Sequence, residues 1–368
     1  MTGAASGMGG QNRYRQTMAQ VTPHRAFLKR LSSRRDVAVD LGTANTLIYT
    51  ADKGIVLNQP SVVCFERRPA PGGAGHQVAA VGSEASQLLG RAPDHLEAIR
   101  PMRHGVIANF SAAEHMMRRF VDMARTRRRF GRRLAFTICV PQAATPVEKR
   151  AIREAARAAG AGRVNLIGES LASALGAGLP VSSSTGSMVV DIGGGTTEVG
   201  IIALGSVVCG GSVRVGGDQL DLAIINYVRG LYGVVLGEQT AERAKRVIGT
   251  ALRDGPLERF RVTGRSVSDG LPRTVELTSH DIAEAVAAPL RQVIGVVRGV
   301  LEAAPPELVT DIARTGIVLA GGGALLRRLD QLFSAELGVE VRVADEPLTC
   351  AVRGAGAAAA TFEAYAFD

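Results

Sequence analysis

The 368-residue chain has no tryptophan, and only 4% of its residues are aromatic. Its core must therefore be built from Ala, Val, Leu, Ile and Gly, as in a layered α/β protein. Long apolar runs are missing too. No stretch of about 18 or more uncharged apolar residues occurs, which excludes a membrane-spanning helix. The N-terminus has no apolar segment followed by a small-residue cleavage site, so no secretory leader is expected. Cysteine is scarce: Cys64, Cys139, Cys209 and Cys350 stand far apart, with no CxxC pair. That argues against a zinc site or a disulfide frame and for free thiols in a reducing compartment, the cytosol.

Acidic residues are missing from one segment and nearly so from another. Residues 1–35 hold seven Lys or Arg and no Asp or Glu, and residues 118–133 hold eight Arg against one Asp. Each segment carries +7 of a total of +9, so the remainder sums to −5. A mildly acidic body with two basic patches favours an anionic surface. In HRAFLKRLSSRR (24–35), Phe27, Leu28 and Leu31 share one side of a helix, with cations opposite. This is either a solvated basic tail or a short membrane-surface helix. RTRRRFGRR (125–133) is either a solvated loop or a membrane-facing loop in which Phe130 inserts between lipid-binding arginines; the second reading is preferred. No stacking aromatics interleave this charge, so nucleic acid is not the expected partner.

What is present is ample core, with 46% hydrophobic residues, at a length that suits two domains. Short strands alternate with longer helices from residue 37 onward. Strands are expected at 37–41, 46–50, 54–57, 61–65, 134–140, 187–192, 197–203, 206–209 and 316–320. Helices are expected at 112–126, 146–159, 218–230, 239–250, 279–303 and 324–336. In 279–303 the apolar stripe is sustained, Thr278 and Asp281 form a variant capping box, and Pro305-Pro306 stop the helix. Pro289 is expected to bend it. RPAPGGAGH (68–76) reads as a loop.

One motif occurs twice. VAVDLGTANTLIY (37–49) and MVVDIGGGTTEVGII (188–202) each run from an apolar strand through an Asp into a Gly/Thr turn and back into an apolar strand. The aspartates, Asp40 and Asp191, are 151 positions apart, as in an internal duplication. Glycine lets the backbone approach a ligand closely, and successive N–H groups in such a turn form an anion-binding nest. Thr43, Asn45, Thr196 and Thr197 add side-chain donors. Two facing hairpins would grip a polyphosphate, and each Asp would hold waters around a Mg²⁺ ion, which favours oxygen ligands and retains water. GIVLAGGGALLRRL (316–329) adds a strand, a triple glycine and a helix that suit an adenosine pocket; it is neither a Walker A nor a GxGxxG motif. ERAK (242–245) either closes the other side of that pocket or is an exposed helix face.

These stretches, with GIVLNQPSVV, INYVRGLYG, PPELVTDIARTGIVLAGGGALLRRLD and EPLTCAVRGAG, resemble bacterial actin, the MreB family of rod-shape proteins in the actin, heat-shock chaperone and sugar-kinase superfamily. The likeness runs from about 37 to about 357. It implies an α/β, actin-like (ribonuclease H-like) duplicated fold with a central ATP–Mg²⁺ cleft. The implied organisation is a basic extension (1–36), domain I (37–186 plus 347–366, small subdomain about 58–97) and domain II (187–346, small subdomain about 214–271). It further implies slow ATP hydrolysis coupled to assembly into double filaments on the cytoplasmic face of the inner membrane, where anionic lipid and cell-wall elongation proteins are partners. Carried over by position, Thr43, Ala44 and Asn45 fall on the first phosphate loop, and Gly193, Gly194, Gly195 and Thr196 on the second. Glu242 and Lys245 match nucleoside contacts; Gly322, Gly323, Ala324 and Leu325 match the adenosine turn. Asp40 and Asp191 match metal-side acids, Asp191 being also carried as catalytic. Glu148, in TPVEKRA (145–151), matches the glutamate that positions the attacking water. Thr145, Pro146 and Glu148 also make a capping box, and the two roles can coexist.

The chain departs from the family pattern at Ala143, Lys149, Gly168, Ser170 and Leu222, and in HGVIANF (104–110). The phosphate loops are intact, so ATP binding is expected, while hydrolysis rate and subunit contacts are open. Competing readings are a non-polymerising ATP-binding scaffold, a small-molecule kinase of the same superfold, and a chaperone, the last disfavoured because no substrate-binding domain follows.

Overall fold

The computed structural model describes residues 36–67, 77–124 and 134–359. The segment 24–35, the loop 68–76 and the arginine run 125–133 lie outside the described residues.

Two five-stranded sheets organise the chain. The first is built from β1 (Val37–Leu41), β2 (Asn45–Thr50), β3 (Gly54–Pro60), β4 (Leu134–Val140) and β5 (Ala161–Gly168). The second is built from β6 (Ser187–Ile192), β7 (Thr197–Ala203), β8 (Ser206–Val213), β9 (Ile317–Ala320) and β10 (Val341–Val343). Their orders are β5–β4–β1–β2–β3 and β10–β9–β6–β7–β8. In both, the first three strands form an antiparallel meander and the last two add in parallel. Topology thus repeats strand for strand, and the duplicated motif occupies the equivalent hairpin of each sheet. Smaller three-stranded sheets accompany each half: Val63–Glu66 with Val78–Val81 and Leu96–Ile99, and Val234–Val235 with Arg259–Ser266 and Pro272–Thr278.

Helices cover both sheets. They include α1 (Phe110–Ala124), α2 (Pro146–Ala158), α3 (Glu169–Gly176), α4 (Gly217–Tyr232), α5 (Glu238–Ile248), α6 (Ser279–Ala303) and α7 (Cys350–Ala359). The first core packs Met116, Met117 and Phe120 of α1 and Ile152 of α2 on Val39, Phe136 and Ile138. The second packs the α6 stripe Ile282, Val286, Leu290, Val293 and Val297 on Val190, Ile201 and Leu319. A third lies between the sheets, where α3 and α7 bring Leu171, Ala172, Val352 and Ala355 against Ala38 and Val189. These two helices touch backbone to backbone. A Cβ on Gly354 would sit 1.7 Å from the Ala172 carbonyl oxygen, and one on Gly176 1.8 Å from that of Cys350, so only glycine fits at either crossing.

Strands β5 and β10, most strands of the smaller sheets, helices α3 and α7 and the helix Pro306–Thr315 were not among the expected elements. The expected helix at 324–336 starts at Leu329, because Gly322–Leu325 forms a 3₁₀ turn and Arg328 adopts a left-handed φ of 62°. Helix α6 runs from Ser279 to Ala303 with Pro289 inside it, and the Thr278–Asp281 capping box is formed.

Candidate nucleotide site

The tips of the two duplicated hairpins meet. Register pairs Asp40 with Leu47 across the first hairpin and Asp191 with Glu198 across the second, leaving 42–44 and 193–196 as the turns. A Cβ on Gly194 would lie 2.8 Å from the Ala44 Cβ and 3.0 Å from its nitrogen. One on Gly195 would lie 2.7 Å from Thr43 Oγ1 and 2.9 Å from the His104 nitrogen. The glycines are therefore required by the approach of the other half of the molecule. Thr43 Oγ1 accepts the Gly105 N–H at 2.9 Å, and the His104 ring nitrogen Nδ1 lies 3.4 Å from the Gly195 carbonyl oxygen. His104, at a left-handed φ of 50°, thus places its turn between the hairpins. Above them, Arg100 reaches Asp218 at 3.7 Å and Glu238 at 3.5 Å, and Gln239 Nε2 donates to the Ser86 carbonyl at 2.8 Å.

Beneath the tips sits a group of buried acids. Burial, with the Asp191 charge added, raises Asp40 to a pKa of about 7. Burial raises Asp191 to about 6, although the Ser173 hydroxyl, which donates to its Oδ2, holds it lower than burial alone would. Glu169, in the first turn of α3, is driven well above the carboxylate range by burial and then by the charges of Glu198, Asp40 and Asp191. Glu198 is fully buried; it accepts from Ser212 Oγ at 2.6 Å and the Gln142 N–H at 3.1 Å, and burial still raises it to about 7. Four carboxyls whose pKa values burial raises form a site that gains from a cation.

Other expected site residues are placed as follows. Glu148 lies at the start of α2, where its Oε2 accepts the Thr145 N–H at 2.7 Å and the Thr145 hydroxyl at 2.9 Å, completing the capping box. Lys245 reaches the first turns of α4: its Nζ is 2.8 Å from Asp221 Oδ1 and donates to the Gly217 carbonyl at 2.9 Å. Glu242 is exposed and pairs at 3.9 Å with Arg246. The triple glycine packs on the second hairpin, since a Cβ on Gly321 would meet Asp191 Oδ1 at 2.3 Å and one on Gly323 the Ile192 side chain at 2.3 Å. Ala324 is buried and Leu325 is 59% exposed. Sequence reading passed over Glu169 and Glu198; their only signal was a charged residue in an otherwise apolar surrounding.

The family model described as MreB/Mbl protein matches residues 34–366. The chain is 51% identical over 333 residues to the cell shape-determining protein MreB of Escherichia coli K12, covering 90% of this chain and 95% of that protein. It is 41% identical over 322 residues to the cell shape-determining protein Mbl of Bacillus subtilis 168, covering 88% and 95%. Among solved structures, MreB5 of Spiroplasma citri bound to ADP superposes with a TM-score of 0.83 at 30% identity, covering 90% of this chain and 98% of that one. The same protein bound to AMPPNP gives a TM-score of 0.82. The MamK double helical filament shares the fold, with a TM-score of 0.73 at 20% identity.

Proposed function

The chain belongs to the MreB/Mbl family of cell shape-determining bacterial actins, and we propose that it binds ATP with Mg²⁺, polymerises on the inner membrane and organises cell-wall synthesis there. The observation that carries the reading is the tip-to-tip meeting of two glycine hairpins over paired acids. The residues fit the group: the glycines leave backbone N–H groups at close range, and Asp40 and Asp191 keep raised pKa values that a divalent cation would reverse. The nucleotide-bound Spiroplasma relatives support the same ligand class.

In this reading the N–H groups of 43–45 and 193–196 hold the phosphates from both halves, so binding closes the cleft. Asp40 and Asp191 are the residues that would hold the metal. Bound Mg²⁺–ATP supplies the transferable phosphoryl group and the charge that lowers the neighbouring carboxyl pKa values. We assign the water-positioning role to Glu169 rather than Glu148. Glu148 is committed to its cap, whereas Glu169 is buried among the cleft acids. A carboxyl held in place inside the cleft suits a water-positioning role, and catalysis here is chiefly positioning. Lys245, Glu242 and the 322–325 turn would border the nucleoside. The basic segments 1–35 and 118–133 supply the attraction to anionic lipid.

Co-sedimentation with anionic liposomes across a concentration series, with and without Mg-ATP, tests the reading. ATP-dependent pelleting above a threshold concentration is expected. Pelleting linear in protein and indifferent to ATP would replace it with a non-polymerising scaffold.

A further inference from the structure

A cavity of about 100 Å³ lies between α2, the ends of β4 and β5, and the start of β8. Val140, Leu166 and Val207 give it apolar walls, and Gln142, Lys149, Arg153 and Ser170 give it polar ones. Pro141, which also lines it, packs on Gly105; a Cβ there would meet the Pro141 ring at 2.7 Å and the Thr196 side chain at 3.4 Å. The cavity is thus one residue layer from the phosphate hairpins.

Among the described residues, the side chains of Lys149, Arg153 and Ser170 in its lining have no polar partner. Lys149 and Arg153 stand one turn apart on α2, both half-buried, and among the described residues neither has an ion-pair partner. Arg150 on the same helix, by contrast, pairs with Glu154 at 2.8 Å. Like charges at this spacing repel, which a shared anion would reverse. Ser170 is 1% exposed and its Oγ has no hydrogen-bond partner, a costly state for a buried hydroxyl. Gly168 on the same wall brings no side chain that could fill the space. The carboxyl closest to Gln142, Glu198, is already engaged by the Gln142 N–H and Ser212.

We propose that this cavity is a second anion site, taking a small oxyanion between Lys149 and Arg153 with the Ser170 hydroxyl donating to it. Inorganic phosphate is the occupant that the molecule would itself produce, a choice of source that rests on the ATPase reading above. A carboxylate of similar size offers the same chemistry.

The test is a titration of the full chain, with Mg-ADP saturating the nucleotide site, by inorganic phosphate and separately by acetate, followed calorimetrically. Saturable binding is expected, weakened roughly tenfold or more in Lys149→Ala and Arg153→Ala and in Gly168→Glu, which would bring an internal carboxylate to the two cations. Unchanged Mg-ADP affinity shows that each variant is folded. Phosphate held against excess acetate identifies phosphate as the ligand; acetate binding equally well identifies carboxylates; either outcome supports the site. Absence of saturable binding of both anions, or binding indifferent to all three substitutions, overturns it. Because no turnover is needed, a chain that binds phosphate here yet hydrolyses no ATP would refute the ATPase reading and leave this site standing.

Discussion

Replacing Gly194 by alanine is expected to weaken ATP binding without unfolding the protein. Gly194 does not need a left-handed backbone, so the added methyl acts through contact alone. Its Cβ would stand 2.8 Å from the Ala44 Cβ and 3.0 Å from the Ala44 nitrogen. Carbon atoms rest at about 3.5–4.0 Å, so the hairpin tips must part by about 1 Å. Overpacking of this kind costs about 1–3 kcal/mol, or about five- to 150-fold in affinity when closure is needed for binding. The two tips belong to separate sheets, so the strain is released by opening the cleft, and the thermal midpoint of the nucleotide-free protein should hardly move. Ala44→Gly in the same chain removes the methyl contact but leaves the 3.0 Å approach to the nitrogen, so it should restore part of the loss. The assay is the affinity for a fluorescent ATP analogue across the four members of the cycle. Wild-type affinity in Gly194→Ala, or additive effects of the two substitutions, would refute the argument that the hairpins close on each other around the phosphates.

Two further expectations concern the acids. Asp40, raised to about 7, binds its proton more tightly in the folded state than in the unfolded one, so its contribution to stability falls as pH rises from about 4 and is gone above about 7. Asp40→Asn should therefore raise stability at pH 8 by up to about 4 kcal/mol, three pKa units at about 1.36 kcal/mol each, and change little at low pH; parallel melting curves for the two proteins from pH 5 to 8 would contradict this. Glu169→Gln should slow phosphate release by about 10²-fold or more while retaining nucleotide affinity, whereas Glu148→Ala should cost about 1 kcal/mol of stability through its cap and leave hydrolysis intact. The reverse pattern in single-turnover phosphate release would return the water-positioning role to Glu148.

The sequence by itself determined the duplicated hairpins, because an Asp followed by glycines at the end of an apolar strand is a local pattern that appears twice. It also determined α6, whose stripe and capping box are both written in nearby residues. It did not disclose α3 and α7. ESLASALG and CAVRGAGAAA are small residues buried on nearly every side, so they show no polar face and no 3.6-residue contrast. Glu148 shows the limit from the other direction: TPVEKRA carries both a cap and a catalytic likeness, and the structure forms the cap on Thr145. Glu169 and Glu198 stand 29 residues apart, and their pairing with Asp40 and Asp191 follows from burial and from the packing of α3 against the second sheet. Local chemistry fixes turns, caps and stripes. Which carboxyls share a low-dielectric cleft, and which cations are left without partners beside it, depends on contacts between residues far apart in the chain, and only the tertiary structure decides those.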